Sequence, residues 1–188
     1  NEAFQEGASE GAVKSGYAYE YLQKVSSLTG WQYEYVYGSW AEVYSAFLRG
    51  DVDLLAGLGY SASRLPYMNY PDYPMGYESY YLFVRSKETS ITRDAETLRG
   101  KKIGTIPGLL QDAIGTWLAD RNIKSEIVVF EDVYQRDVAL EQGDIDAFIG
   151  EGSSVSVNEF NKPLLKIASV NMYLCVSKNR PDILKELN

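Results

Sequence analysis

Arg64 stands alone: no other Lys or Arg lies between Arg49 and Arg85. It closes the run Gly57-Leu58-Gly59-Tyr60-Ser61-Ala62-Ser63-Arg64, which follows the apolar stretch Leu54-Leu55-Ala56. A single guanidinium just past a strand end, in a Ser-containing loop, suits a bidentate hold on a carboxylate. The same spacing also suits a helix-surface salt bridge. Glu151 is set between Gly150 and Gly152, directly after the apolar run Ala147-Phe148-Ile149. A carboxylate there can take hydrogen bonds from a ligand ammonium, or be an exposed turn residue. Trp40 follows Ser39 at a helix start, where it can stack on a ligand or pack with Val43, Tyr44 and Phe47. Gly104 and Gly108 form a G-x-x-x-G that lacks the Lys-Ser/Thr of a P-loop. Its better use is to expose backbone N–H groups around Gly108 and Leu109 at a helix N-terminus, which suits a carboxylate.

Composition removes other chemistries. The 188 residues carry a net charge of −8, which is wrong for a partner built on phosphate contacts. There is no His, so Ser-His-Asp and Cys-His catalysis and His-based zinc sites are out. Cys175 is the single cysteine, so there is neither an internal disulfide nor a Cys-rich metal site. No metal and no cofactor is expected. No apolar run approaches the 18 residues of a membrane span. The chain opens at Asn1 without Met or a leader, as in a processed chain or a piece of a longer one.

The elements that must position these residues are announced by a repeat. Gly50-Asp51-Val52-Asp53 matches Gly143-Asp144-Ile145-Asp146 at an offset of 93 residues. At the same offset Ser39-x-x-Glu42 matches Asp132-x-x-Gln135, two capping-box patterns. Each half therefore reads as helix, Gly stop, tight turn and buried strand. Strand-like runs at 32–37 and 126–130 precede these helices. Further helices are expected over 16–29 and 110–121. This order implies parallel strands with right-handed crossovers. Residues 103–106 supply a first strand to the second half. The first half has no counterpart before Gly16, so its first strand is expected upstream of Asn1. Of the 16 tyrosines, 14 precede residue 82, so the halves also differ in composition. Two strand-like stretches, 80–85 and 170–176, connect them as a hinge. A last helical piece covers 181–188.

With those segments in place the chain resembles a known family. Gly57 to Arg64 resembles the A-G-x-x-x-[ST]-x-x-R stretch of the polar-amino-acid group of bacterial solute-binding proteins, family 3. Gly16-Tyr17-Ala18-Tyr19-Glu20-Tyr21-Leu22 resembles its helix opening. Leu98-Arg99-Gly100-Lys101-Lys102-Ile103-Gly104 resembles its entry into the second lobe, and Gly143-Asp144-Ile145-Asp146-Ala147 its G-x-[IV]-D-A motif. The resemblance implies an α/β periplasmic-binding-protein fold of type II, with two α/β lobes of mainly parallel sheets joined by two crossover strands. Residues 1–84 plus 172–188 would form lobe 1 and 85–171 lobe 2.

By the same resemblance Arg64 is the carboxylate clamp, supported by Ser61 and the backbone at Gly57 and Gly59, with Tyr60 in the same loop. Glu151 falls where the family commonly has an Asp for the ligand ammonium, and Trp40 where an aromatic often covers the ligand. The pattern departs at Gly59, often Ser or Thr, at Leu109, in a loop that is usually Ser/Thr-rich, and at Glu151, one methylene longer than Asp. These departures leave room for a bulkier or less polar ligand than glutamine.

The Tyr-rich first half looks most like the extracellular sensor modules of Gram-positive signalling proteins. The resemblance implies a non-enzymatic, tethered extracytoplasmic domain. Its partners would be a small carboxylate and either a permease or a fused signalling domain. Two other readings stay open: a ligand-free interaction domain presenting its tyrosines, and a lyase on the same fold with Glu151 as acid or base.

Overall fold

The protein is described by a computed structural model covering residues 6, 7, 9–152 and 160–188. It divides into two compact units: residues 1–77 with 170–188, and residues 78–169.

The first unit contains helices α1 (Tyr17–Thr29) and α2 (Trp40–Arg49), strands β1 (Leu54–Gly59) and β2 (Met68–Asn69), and the C-terminal helix α5 (Pro181–Leu187). The repeat predicted the helix ends. Ser39 and Glu42 close a complete capping box at the start of α2, and Gly50 ends it in a left-handed conformation, φ 85°. The Gly50 amide bonds Phe47 O, and that of Asp51 bonds Ala46 O. Phe47 is buried from α2 against Leu55, Leu58, Met68 and Cys175. A second apolar cluster joins Ala18 of α1 to Met75 and Leu174, with Leu187 of α5 against it.

One expectation fails in this unit. Residues 32–37 were expected to form a strand parallel to that at 54–56, but they form no ladder with any described residue. Burial does alternate from Trp31 to Val36, as in a half-buried strand. Alternation reports which side faces inward, whereas a strand also needs a neighbour to take its N–H and C=O groups. Here the ammonium of Lys14 lies over the rings of Tyr35 and Tyr37, at 4.7 and 5.2 Å from the centroids. Instead, β1 pairs antiparallel with the C-terminal half of β7 (Asn161–Ser177), as does β2.

The second unit contains most of β3 (Gly76–Arg85), then β4 (Lys102–Thr105), α3 (Leu109–Asp120), β5 (Glu126–Val129), α4 (Val133–Gln142), β6 (Ala147–Glu151) and the first part of β7. Here the expected parallel sheet forms. β4 lies between β5 and β6, parallel to both, and β3 adds antiparallel to β6.

The repeat recurs in the hydrogen bonds. Gly143 ends α4 with φ 85°, its amide bonding Leu140 O, and the Asp144 amide bonds Ala139 O. These are the partners of Gly50 and Asp51 displaced by 93 residues. The last Asp of each motif ties its turn to another element. Asp146 takes the Lys102 amide at 2.8 Å, and Asp53 takes the Arg180 guanidinium at 2.6 Å.

Just past β3, Glu88 accepts from the Ser90 hydroxyl at 2.7 Å and its amide at 2.6 Å, and from Arg85 at 3.2 Å. The Ser90 hydroxyl, more than any other group, holds this carboxyl down to about 2. A depressed carboxyl stabilises the fold above its unfolded value, near 4.5, and loses that contribution as pH falls toward 2. Chemical denaturation between pH 5 and pH 2 is therefore expected to show a loss of stability that Glu88→Gln flattens. Equal slopes in the two proteins would rule this out.

Candidate functional site

In the first unit the site begins where β1 ends. Gly57 takes φ 82° at an irregularity between Ala56 and Leu58, where β1 shifts register against β7. A residue with a Cβ would be strained in that conformation. Beyond Gly59 a short 3-10 helix, Ala62–Arg64, folds the chain back, with the Arg64 amide on Ser61 O. The fold-back brings the Arg64 guanidinium onto the Gly59 carbonyl, Nη1 to O 2.9 Å. That carbonyl also accepts from the Tyr70 hydroxyl at 3.2 Å, and the hydroxyl in turn accepts from the Ser61 amide at 3.3 Å.

Arg64 is half-buried and, among the described residues, pairs with no carboxylate. Arg49, Arg85, Arg99, Arg136 and Arg180 each do. The salt-bridge alternative for Arg64 is therefore not what these residues build. The Ser61 hydroxyl is spent locally, 2.8 Å from that of Ser63. Tyr60 is half exposed, and its ring lies 5.1 Å from that of Tyr70, which meets Tyr173 edge-on at 5.2 Å. Burial raises the Tyr70 phenol above its ordinary range, and it pushes the Cys175 thiol up to about 12 against the opposing charge of Arg64. Both groups are neutral at physiological pH, leaving the guanidinium as the charge of this cluster.

Trp40 opens α2 without entering the core. Its indole is 59% exposed and stacks on Tyr44, one turn on, at 5.7 Å and 21°. The packing partner named from the sequence is found, while more than half of the residue stays exposed.

In the second unit, β4 and β6 are neighbouring parallel strands, so their carboxyl ends share one edge of the sheet. This edge carries Gly108 and Leu109 after β4 and Glu151 at the end of β6. Gly108 is exposed with φ 101° and caps α3 with no side chain, so the first-turn amides from Leu109 onward lack intrahelical partners. Glu151 lies opposite Tyr80 of β3 and is half-buried, and the next amide, Gly152, bonds Ser79 O at 2.8 Å. A Cβ on Gly152 would come within 2.9 Å of the Tyr81 ring. The glycine after Glu151 is thus required by close packing.

Two residues with a part in these arrangements escaped the sequence reading. Tyr70 ties Ser61 to Gly59, whose carbonyl also holds Arg64, yet nothing in the run Asn69-Tyr70-Pro71 marks it. Arg136, in the charged stretch Gln135-Arg136-Asp137, looks like a surface residue and is 2% exposed. Its Nη1 donates to Ile149 O at 2.9 Å, two residues before Glu151, and its guanidinium lies 4.1 Å from the Phe148 ring centroid. The close approach of β4 at Gly104, where a Cβ would meet Arg136 Cγ at 3.2 Å, was the available clue.

Among the described residues no cluster of three or more His, Cys, Asp or Glu could hold a metal ion, and no helix is long and apolar enough to cross a membrane. No curated protein sequence matches the chain. Solved structures do. The probable amino-acid ABC transporter extracellular-binding protein ytmK from Bacillus subtilis superposes with a TM-score of 0.75 at 16% identity, over 95% of this chain and 81% of that one. An ancestral arginine-binding protein bound to arginine gives 0.69 at 19% identity, over 99% and 84%. A histidine kinase sensor domain with similarity to periplasmic binding proteins gives 0.69 at 17%, over 98% and 82%. These likenesses establish the fold, a type II periplasmic-binding-protein architecture of mixed α/β sheet. The ordered motifs at Gly16, Gly57–Arg64, 98–104 and 143–147 fall within a single profile match over residues 6–188, and the chain belongs to the bacterial extracellular solute-binding proteins, family 3.

Proposed function

We propose that the chain is a non-enzymatic, extracytoplasmic receptor for an amino acid or a related small carboxylate. Arg64 is the carboxylate clamp, Trp40 and Tyr60 cover the ligand, and Ser61 with the backbone at Gly57 and Gly59 shapes the loop that carries the clamp. On closure the second unit adds Glu151 for an ammonium and the backbone at Gly108 and Leu109. The hinge lies at 82–86 and 170–175. A ligand favours the closed form only through the contacts it gains there. The closed state is read by a permease or by a fused signalling domain, with the receptor tethered at the outer face of the membrane.

The observation that carries this reading is Arg64: an immobilised guanidinium without a carboxylate partner among the described residues. A fixed, half-buried cation with N–H groups to spare is a receptor for an anion. The exposed tyrosines of the first unit, Tyr67, Tyr73 and Tyr77, at 58, 71 and 73% exposure, favour the interaction domain as the second reading.

A thermal-shift screen of the complete protein against the twenty amino acids, small peptides and dicarboxylates separates the two. A ligand at about 100 times its Kd adds about 2.7 kcal/mol, which raises Tm by roughly 5–10 °C in a domain of this size. At least one carboxylate is expected to give such a shift. A flat panel would sink the receptor reading and favour the interaction domain.

A further inference from the structure

We infer that Tyr70 is the positioning residue of the Arg64 site: its hydroxyl joins Gly59 to Ser61 and fixes the Gly59 carbonyl on which the guanidinium is anchored. The inference rests on the receptor reading for its functional meaning but not for its geometry.

A phenol hydroxyl has one proton to give and two lone pairs to accept with. Here the proton and one lone pair are used. The proton goes to Gly59 O at 3.2 Å, the acceptor that Arg64 Nη1 also uses at 2.9 Å, and a lone pair takes the Ser61 amide at 3.3 Å. Gly59 is the last residue of β1, and Ser61 precedes the 3-10 helix that ends at Arg64. One oxygen thus joins the end of the strand to the start of the turn, on the carbonyl that anchors the side chain at the turn's end. The ring is held in turn, against Tyr60 at 5.1 Å and Tyr173 at 5.2 Å, and it packs on the cluster around Phe47 and Cys175. The hydroxyl therefore has a fixed address, set by the core and not by the loop.

The donor count defines the consequence. Arg64 has five N–H groups. One is spent on Gly59 O, which leaves four for an anion, enough for a bidentate grip and further bonds. The spent donor ties the guanidinium to a carbonyl that Tyr70 also holds. Without the hydroxyl, the Ser61 amide loses its partner, and the carbonyl that tethers the guanidinium is no longer held from its other side. A ligand must then stop that motion on binding, at a cost in affinity.

The test is Tyr70→Phe, which keeps the ring and its packing. In 15N-labelled protein, the Arg64 guanidinium resonances are assigned by their loss in Arg64→Lys. Rotation about its Nε–Cζ bond is expected to speed up about fivefold in Tyr70→Phe, on the scale of one lost neutral hydrogen bond at its anchoring carbonyl. The best carboxylate from the thermal screen should bind about five- to tenfold more weakly, while the same amino acid as its amide should bind equally to both proteins. Unchanged Arg64 rotation in a folded Tyr70→Phe protein would overturn the inference. Wild-type protein provides a second measurement should the variant not fold: the Ser61 amide must be protected from hydrogen exchange, and free exchange there overturns the inference as well. If no carboxylate binds the wild type, the receptor reading fails, and the rotation and exchange measurements still decide the role of Tyr70.

Discussion

Arg136→Ala is expected to lower the unfolding free energy by about 3 kcal/mol, among the larger effects of any single substitution in the second unit. The guanidinium is almost fully buried. It donates from Nη1 to Ile149 O at 2.9 Å and from Nε and Nη2 to Asp137 Oδ1 at 2.9 and 2.8 Å. It also lies over the Phe148 ring, and its stem packs where β4 passes at Gly104. Truncation leaves a buried carbonyl without this donor, which costs about 1–3 kcal/mol. It also opens a void between α4, β4 and β6 and removes a cation–π contact worth about 1 kcal/mol. The loss of Asp137's partner adds little, because that side chain is 41% exposed.

Two variants separate these causes. Arg136→Met restores much of the packing of the stem and should recover part of the loss. Arg136→Lys keeps the charge but has no fork to reach Asp137 and Ile149 together, so it should fall between the two. Urea denaturation at fixed pH measures all three. A loss below about 1 kcal/mol in Arg136→Ala would show that the buried arginine is dispensable.

The second large effect concerns affinity. Arg64→Ala is expected to weaken binding of the carboxylate found in the thermal screen by about 100-fold or more. Hydrogen bonds to a charged partner contribute about 1.5–3 kcal/mol each, and about 2.7 kcal/mol is 100-fold in Kd. The unliganded protein should change little in stability, since Arg64 is half-buried, breaks no ion pair among the described residues on removal, and leaves Tyr70 still bonded to Gly59 O. Arg64→Lys retains the charge without the planar fork, so its affinity should lie between the two. Isothermal titration of wild type, Arg64→Ala and Arg64→Lys against the same amino acid gives the comparison. Affinity retained within threefold in Arg64→Ala would remove Arg64 from the site. The same experiment with the amide form of the ligand checks the mechanism, because only the carboxylate form should distinguish the proteins.

Much of this protein was determined by local sequence. The paired motifs at Ser39–Asp53 and Asp132–Asp146 specify helix, left-handed stop and strand because each step is decided within a few residues. An N-cap side chain reaches only its own first turn, and a glycine alone readily takes φ near 85°. The run 103–106 became β4 because its neighbours in the second unit are encoded by the same short-range pattern. Arg64 was legible for a comparable reason. No Asp or Glu lies between Asp53 and Asp72, so no near sequence neighbour could neutralise it.

Tertiary structure alone decided the rest. Residues 32–37 have a strand's alternation and form no ladder with any described residue, because pairing depends on a partner that no local pattern can supply. The antiparallel pairing of β1 with β7 joins residues more than a hundred positions apart. Arg136 reads as a surface residue in a charged helix and is buried, because burial depends on what crosses above it, here β4 at Gly104. Tyr70 could not be distinguished among 16 tyrosines. Its role comes from a hydroxyl meeting a strand end and a turn at once, and that meeting exists only after the core has placed the ring.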